Sequence, residues 1–463
     1  MPREASFTIR KAQQRGANLT WNELYILDGF GIALFALSYY RKCYRKGYRL
    51  DIWHTQLFML AVLPIMIMLP FAKSELNAFA AGDAVEGIIA DLPSVFPIAL
   101  LGYFAMLTGG SLWHIRSGLG LRRSAIVVLD IVPRCSMMLM SSGTLLIFQT
   151  LLCSFLQVLI LAIYFTQSGF GFDLRAYTFA NPSFRPVVLV VSNYSIIIAS
   201  HCLARYVDTK ERTLLACTLL LTFGLVFFGA RGNILTIYLY ILICYLIKLR
   251  NKISLIRVIS LAAVMILAGL YLGIARSGEY SLAQLFGSLA ILLFYGNTFS
   301  DLRDFTWVYS KWDHVFWGGK TYLAALMAFI PRVASQFRDT WGLGVATSST
   351  VGLDPQIHPG LRPSVFGEGY FNFGLLGVIA IGLMLGIISQ RVDLDVKRAM
   401  AARQPSMRRA FASTMMLGVA GSLAITAGFS SLFVLGGVYG LSWFFLGLLK
   451  LLNVPASSIN TAE

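Results

Sequence analysis

The chain has 463 residues, 57% of them hydrophobic and only 13% charged, with a formal net charge of +16 and a mean hydropathy of +0.70. A soluble globular domain carries roughly 25% charged residues, whereas runs of about 20 apolar residues are what a bilayer core demands. Composition therefore excludes a soluble enzyme and predicts an all-α polytopic membrane protein, its positive charge reflecting basic cytoplasmic loops rather than nucleic-acid binding.

The N-terminal tail, residues 1–23, begins MPREASFTIRKAQQRGANLT and lacks the compact apolar stretch of a cleavable signal. Eleven apolar runs follow, near 24–40, 55–72, 93–112, 138–165, 186–204, 213–229, 233–248, 258–275, 369–389, 410–427 and 431–449. Each predicts a spanning helix, and the 124–165 stretch leaves room for a twelfth crossing. The loops between them alternate in character. Basic residues number five in 41–49, three in 205–212, four in 248–257 and six in 391–409, while 73–92 sets one Lys against Glu75, Asp83, Glu86 and Asp91. Short loops rich in Lys and Arg mark the cytoplasmic side, so 73–92, 166–185, 229–233 and the long segment 276–368 face outward. The tail, with Arg3, Arg10, Lys11 and Arg15, also favours the cytoplasm, in conflict with an odd number of crossings.

Within 276–368, SLAQLFGSLAILLFYGN (281–297) and KTYLAALMAFIP (320–331) are short for full spans and fit interfacial or re-entrant helices. No repeat and no separate soluble domain interrupts the chain, which reads as one integral membrane domain over 1–463. The six cysteines show no CxxC and no metal spacing, so a disulfide framework is not expected.

Arg231, Arg276, Arg332 and Arg362 fall at or near the outer membrane face, and Arg175 and Arg185 add two more from 166–185. An arginine within a spanning segment costs on the order of 2.5–3.5 kcal/mol, and any one alone is explained by snorkelling to the surface. Several on the side that topology does not favour point instead to a phosphate or pyrophosphate headgroup, which the guanidinium fork suits. Gly229 and Gly232 flank Arg231, and Gly367 and Gly369 flank Glu368; they allow close backbone approach, with plain helix capping as the alternative. His358, Asp354 and Glu368 fall close to one another and to Arg362. They are candidate acid–base groups, His358 ranked before Glu368, against a loop histidine and a helix cap. The candidate catalytic residues are thus His358, Glu368 and Arg362. The candidate diphosphate- and substrate-binding residues are Arg231, Arg276, Arg332, Arg175, Gly232 and Tyr370. His201 reads as a hydrogen-bonded packing residue. Nucleotide, zinc-protease and hydrolase motifs are absent, and the D-x-D of Asp393 and Asp395 reads as a solvated helix end in the basic loop 391–409. A metal-independent reaction without cofactors is expected.

GARGN (229–233), GKTYLAALMAFIPR (319–332) and SVFGEGYFNFGLLGV (364–378), in this order and spacing, resemble the bacterial oligosaccharide repeat-unit polymerases, the Wzy-type O-antigen and exopolysaccharide polymerases. The resemblance covers roughly residues 225–390. It implies a fold similar to the lipid-dependent C-type glycosyltransferases and a reaction at the periplasmic face of the bacterial inner membrane. A sugar hydroxyl of one undecaprenyl-diphosphate-linked repeat unit attacks the anomeric carbon of a chain carried on a second undecaprenyl diphosphate. The arginines would hold the diphosphates, and His358 or Glu368 would orient or deprotonate the hydroxyl. The implied partners are undecaprenyl-diphosphate-linked oligosaccharides, membrane lipid, and the chain-length regulator and flippase of the same pathway. The alternatives are an O-antigen ligase, with a lipid A-core acceptor, and a transporter or flippase of lipid-linked saccharide.

Overall fold

The computed structural model describes residues 19–72, 85–113, 121–169, 174–181, 183–228, 231–275, 299–330, 334–355, 358 and 360–451. The principal elements are α1 (Trp21–Lys42), α2 (Ile52–Leu57, continued as a π-helix over Phe58–Ile67), α3 (Val85–Leu112), α4 (Leu121–Leu139), α5 (Gly143–Ser168), α6 (Leu174–Ala180), α7 (Arg185–Thr209), α8 (Arg212–Phe227) and α9 (Arg231–Leu249). They continue as α10 (Leu255–Ala275), α11 (Asp301–Lys311), α12 (Lys320–Leu326), α13 (Gln336–Trp341), α14 (Leu343–Val351), α15 (Ser364–Ala401), α16 (Met407–Ala424) and α17 (Phe429–Leu451). No strand occurs among the described residues.

Among the described residues, each of the eleven apolar runs falls mainly on helical backbone, with 138–165 interrupted at residues 140–142. Five stretches among the described residues are long and apolar enough to cross a membrane: Ile89–Leu112, Gly143–Ser168, Arg185–Thr209, Ser364–Ala401 and Thr426–Leu448. Others are shorter. The 16 residues of α8 rise only about 24 Å, less than a hydrocarbon core near 30 Å. Along the flank of the bundle Leu151, Phe155 and Val158 on α5, Phe223 on α8 and Trp443 on α17 stand exposed. Apolar surface of that extent belongs against lipid. The chain is an all-helical membrane protein.

The twelfth crossing does not materialise as an apolar span. The 124–165 stretch divides at residues 140–142 into α4 and α5, the latter capped by Ser142, whose Oγ accepts the Leu145 N–H at 3.2 Å. α4 carries Arg122, Arg123, Asp130 and Arg134 along its length, too many charges for a lipid-facing helix. His201 is buried, its Nδ1 2.6 Å from the Ile197 carbonyl and its Nε2 2.8 Å from Ser136 Oγ. All six cysteines are free.

The helix ends sort into two groups. At one end the four basic loops are tied together. Arg49 Nε donates to the Ile253 carbonyl at 3.3 Å, Lys397 Nζ donates to Asp51 at 2.8 Å, and Asp208 accepts the Met407 N–H at 2.8 Å. At the opposite end, segments 312–330, 360–374 and 425–428 converge. The alternation of loops along the sequence thus becomes a separation of charge in space.

The D-x-D departs from its sequence reading. Asp393 is 2% exposed, accepts the Ile52 N–H at 3.1 Å and takes Lys397 Nζ at 2.7 Å. With Asp51, which accepts the His54 N–H at 2.8 Å, it caps the N-terminus of α2, where carboxylates are favoured. It is a buried structural carboxylate, not a solvated helix end.

Among the described residues, α3 packs closely on α15 through small residues. A Cβ added to Gly382 would stand 2.6 Å from the Gly102 carbonyl oxygen, one on Gly386 2.2 Å from that of Met106, and one on Gly109 2.4 Å from that of Leu383. Small residues four apart let helix backbones approach in lipid, where packing drives association. Gly386→Val is therefore expected to cost about 1–3 kcal/mol through overpacking. The measurement is the thermal midpoint of the purified protein in detergent, and a variant melting with the wild type would show the contact to be loose.

Candidate functional site

The motif FGEGYFNFG, residues 366–374, lies where the segments opposite the basic loops meet. α15 is broken at Gly374, whose φ of 63° and ψ of −152° lie outside the helical region. Glycine alone reaches that conformation without a Cβ penalty. The N–H groups of Trp317 and Gly318 donate to the carbonyls of Phe371 and Asn372, at 2.8 and 3.1 Å, and so satisfy the backbone exposed by the break. The segment 364–373 then lies back along 375–401: a Cβ on Gly377 would stand 2.2 Å from the Gly369 carbonyl oxygen. In a straight helix those residues would be separated by about 12 Å.

Glu368 is fully buried at this junction. Its Oε1 accepts from Thr321 Oγ1 at 2.8 Å and Thr426 Oγ1 at 2.6 Å, and its Oε2 accepts the Thr426 N–H at 2.9 Å. Asn372 Nδ2 donates to Thr321 Oγ1 at 2.8 Å, closing the network. A general base must turn an oxygen toward the proton it removes. Both Glu368 oxygens face protein donors, so its geometry is that of a clamp joining α12, the 364–373 segment and the turn before α17.

A second polar group surrounds Asp304, which is 4% exposed, as is Arg303. Asp304 Oδ1 takes Arg303 Nε and Nη2 at 3.1 and 2.9 Å, and its Oδ2 takes Ser300 Oγ at 2.9 Å and the Arg362 N–H at 3.2 Å. The Arg362 side chain is exposed. Burial raises the Asp301 carboxyl to about 6, while the Arg362 guanidinium pulls it back down. His358 packs on α14, where its carbonyl accepts from Ser348 Oγ at 3.4 Å, and its Nδ1 accepts the Gly360 N–H at 3.2 Å. A neutral imidazole accepting at Nδ1 carries its proton on Nε2. His358 therefore offers a donor to this surface rather than a free basic nitrogen.

Tyr370 belongs to an aromatic cluster, its ring centroid 6.1 Å from Tyr309, 5.8 Å from Trp312 and 6.0 Å from Phe316. Alongside lies a cavity of about 600 Å³, lined among others by Asp313, Trp317, Lys320, Asp339 and Trp341. That volume is within the range of small-molecule sites, roughly 300–1,000 Å³. Lys320 Nζ stands 4.3 Å from the Trp341 ring centroid. Asp313 Oδ1 accepts the Val315 N–H at 3.0 Å and so fixes its turn. Asp339, exposed in the first turn of α13, makes no side-chain hydrogen bond or ion pair among the described residues. Trp317 is buried with its ring centroid 5.0 Å from that of Phe371, so the half-buried Trp341 is the ring within a ligand's reach. With carboxylates and an ammonium beside that ring, the cavity suits a polyhydroxylated ligand, whose apolar face can stack on it and whose hydroxyls can donate to the carboxylates.

Of the residues singled out from sequence, His358 lies against α14, the Arg362 N–H against Asp304 of α11 and Tyr370 against Tyr309 of α11, while Glu368 is bonded to Thr321 of α12 and to Thr426. Arg231 and Gly232 begin α9 and Arg175 lies in α6, but the side chains of both arginines are outside the described residues, as are Arg276 and Arg332 altogether. The stretch 281–297 is also outside them. The other short segment forms α12, which buries Thr321 and Ala324 and exposes Leu323 and Leu326, the two-faced pattern of an interfacial helix. Asp339, Trp341 and Arg303 escaped the sequence reading. Asp339 and Trp341 sit two apart in DTWG, a signal too common to single them out without the cavity between them and Lys320.

Among the described residues, one group has metal-ligand composition: Cys43, Asp51 and His54, whose donor atoms lie within 4.8 Å of one another at the basic end. His54 Nδ1 is 2.8 Å from Asp51 Oδ1 and Lys397 Nζ is 2.8 Å from Asp51 Oδ2. The ammonium already supplies the positive charge that a cation would bring, so these residues do not fit a metal. Comparisons with protein-family models, with curated proteins and with solved structures give no match.

Proposed function

We propose that this chain is a glycosyltransferase of the bacterial inner membrane, polymerising undecaprenyl-diphosphate-linked oligosaccharide repeat units at the periplasmic face. The observation that carries this reading is the cavity with two tryptophans, two carboxylates and Lys320 at the end opposite the basic loops. The positive-inside rule assigns the basic end to the cytoplasm, which turns the cavity outward. α14 lines it with Val345, Ala346, Ser349 and Thr350, and Thr347 of the same helix accepts the Leu361 N–H at 3.0 Å, beside Arg362. One element thus serves both a sugar and the charged group attached to it. The three sequence motifs supply the substrate class.

In this proposal the acceptor hydroxyl gives its proton to the Asp339 carboxylate as its oxygen bonds to the anomeric carbon. The anomeric carbon–oxygen bond to the diphosphate breaks, and the lipid diphosphate leaves with the electron pair. Arg362 and Lys320 counter its charge, so the leaving group needs no acid. Asp339 then returns the proton to water.

A second reading has its own support: the break at Gly374 gives α15 the discontinuous form that transporters use at their sites. The test is to supply lipid-linked repeat units to the purified protein in proteoliposomes. A ladder of longer lipid-linked products is expected. A single transfer onto lipid A-core would indicate a ligase instead, and movement across the bilayer without covalent product a flippase.

A further inference from the structure

Loops 41–49 and 248–257 lie far apart in sequence yet share one surface at the basic end. Arg49 Nε reaches the Ile253 carbonyl, 204 residues away, at 3.3 Å. Arg250 Cζ lies 4.7 Å from the Tyr48 ring centroid, and Arg49 Cζ lies 4.6 Å from that of Tyr44. Around this seam Arg45, Lys46, Arg250, Lys252 and Arg257 are all exposed, and none forms an ion pair among the described residues. Asp51, in the same stretch of chain, is buried and engaged by His54 and Lys397.

Topology asks only that each loop be positive. It does not ask two loops to dock, nor Arg250 to hold a φ of 42°, left-handed backbone that residues with a Cβ avoid. Just inside the seam, Leu37 and Tyr40 near the end of α1, and Ile256 and Ile259 at the start of α10, are exposed apolar surface. Concentrated cations above apolar side chains match an amphiphile with an anionic head, because guanidinium and ammonium groups take phosphate oxygens while the chains stay in lipid.

We infer that this seam binds the headgroup of an anionic phospholipid, with Arg45, Arg250 and Lys252 on the phosphodiester and Leu37 and Ile256 against the acyl chains. The site is independent of the cavity at the other end and of the function proposed for it.

The experiment is native mass spectrometry of the full chain in mild detergent, titrated with phosphatidylglycerol or phosphatidylcholine of equal chain length. Phosphatidylglycerol is expected to be retained preferentially. Arg45→Gln/Lys252→Gln should weaken its binding on the order of tenfold and leave phosphatidylcholine unchanged. Arg403→Gln/Arg409→Gln, exposed charges elsewhere at the same end, should bind as the wild type does. If the double variant unfolds, Arg45→Gln alone replaces it in the comparison. Equal binding of the two lipids would overturn the inference. So would equal losses in the two double variants, which would indicate diffuse charge, or displacement of the lipid by an equal concentration of inorganic phosphate.

Discussion

Glu368→Ala is expected to abolish product and most of the folded protein, whereas Glu368→Gln keeps both. Alanine leaves the Thr426 N–H and the hydroxyls of Thr321 and Thr426 facing an empty buried space. Each buried donor without an acceptor costs about 1–3 kcal/mol, so a total on the order of 3–5 kcal/mol follows even if one hydroxyl finds another partner. Glutamine keeps one oxygen for the Thr426 N–H and places its amide nitrogen toward two hydroxyls, which can turn to accept. Its expected cost is about 1 kcal/mol, with activity within roughly tenfold of wild type. The two variants separate a clamp from a base. A base loses about 10²–10⁴-fold on amide replacement without loss of fold. A Glu368→Gln protein that melts normally and makes almost no polymer would restore Glu368 to the chemistry and refute the clamp. Thermal midpoint and polymer ladder, measured on the same preparations, decide between them.

What the sequence made legible follows from how far each signal reaches along the chain. Apolar runs and basic loops are local consequences of the bilayer, so helix positions and the gathering of 41–49, 205–212, 248–257 and 391–409 at one end could be read directly. Local signals fail where a partner is remote. FNFGLLG reads as uninterrupted apolar helix, because the N–H groups of Trp317 and Gly318 that satisfy the break at Gly374 come from another segment. DLDVK reads as a solvated helix end, because the Ile52 N–H that Asp393 caps lies 341 residues away. The glycines flanking Glu368 mark a place of close backbone approach, but the sequence could not say that Thr321 and Thr426 would close over the carboxylate between them. The cavity was invisible for the same cause. Lys320 belonged to a motif, while Asp339 and Trp341 sit in a helix of six residues, too short to announce itself by periodicity.

Asp339→Asn is expected to lower polymer formation about 10²–10⁴-fold with an unchanged thermal midpoint. The side chain is exposed in the cavity and makes no hydrogen bond or ion pair among the described residues, so the fold loses nothing when its charge is removed. Asparagine keeps the size and a carbonyl acceptor, so a sugar hydroxyl can still be oriented, but the amide cannot take its proton. Binding of lipid-linked donor should therefore persist while turnover falls. Asp313→Asn is the internal control. Its oxygen is committed to the Val315 N–H at 3.0 Å, a bond the asparagine carbonyl reproduces, and its effect should stay within roughly tenfold if it only shapes the turn. The readouts are donor binding, the polymer ladder and the thermal midpoint for each variant. Should Asp313→Asn silence the protein while Asp339→Asn works normally, the two carboxylates exchange roles and the cavity reading survives. If both variants polymerise like the wild type, no carboxylate in the cavity removes the proton. The site would then have to be sought around Arg362, where His358 Nε2 offers a donor to a bound diphosphate.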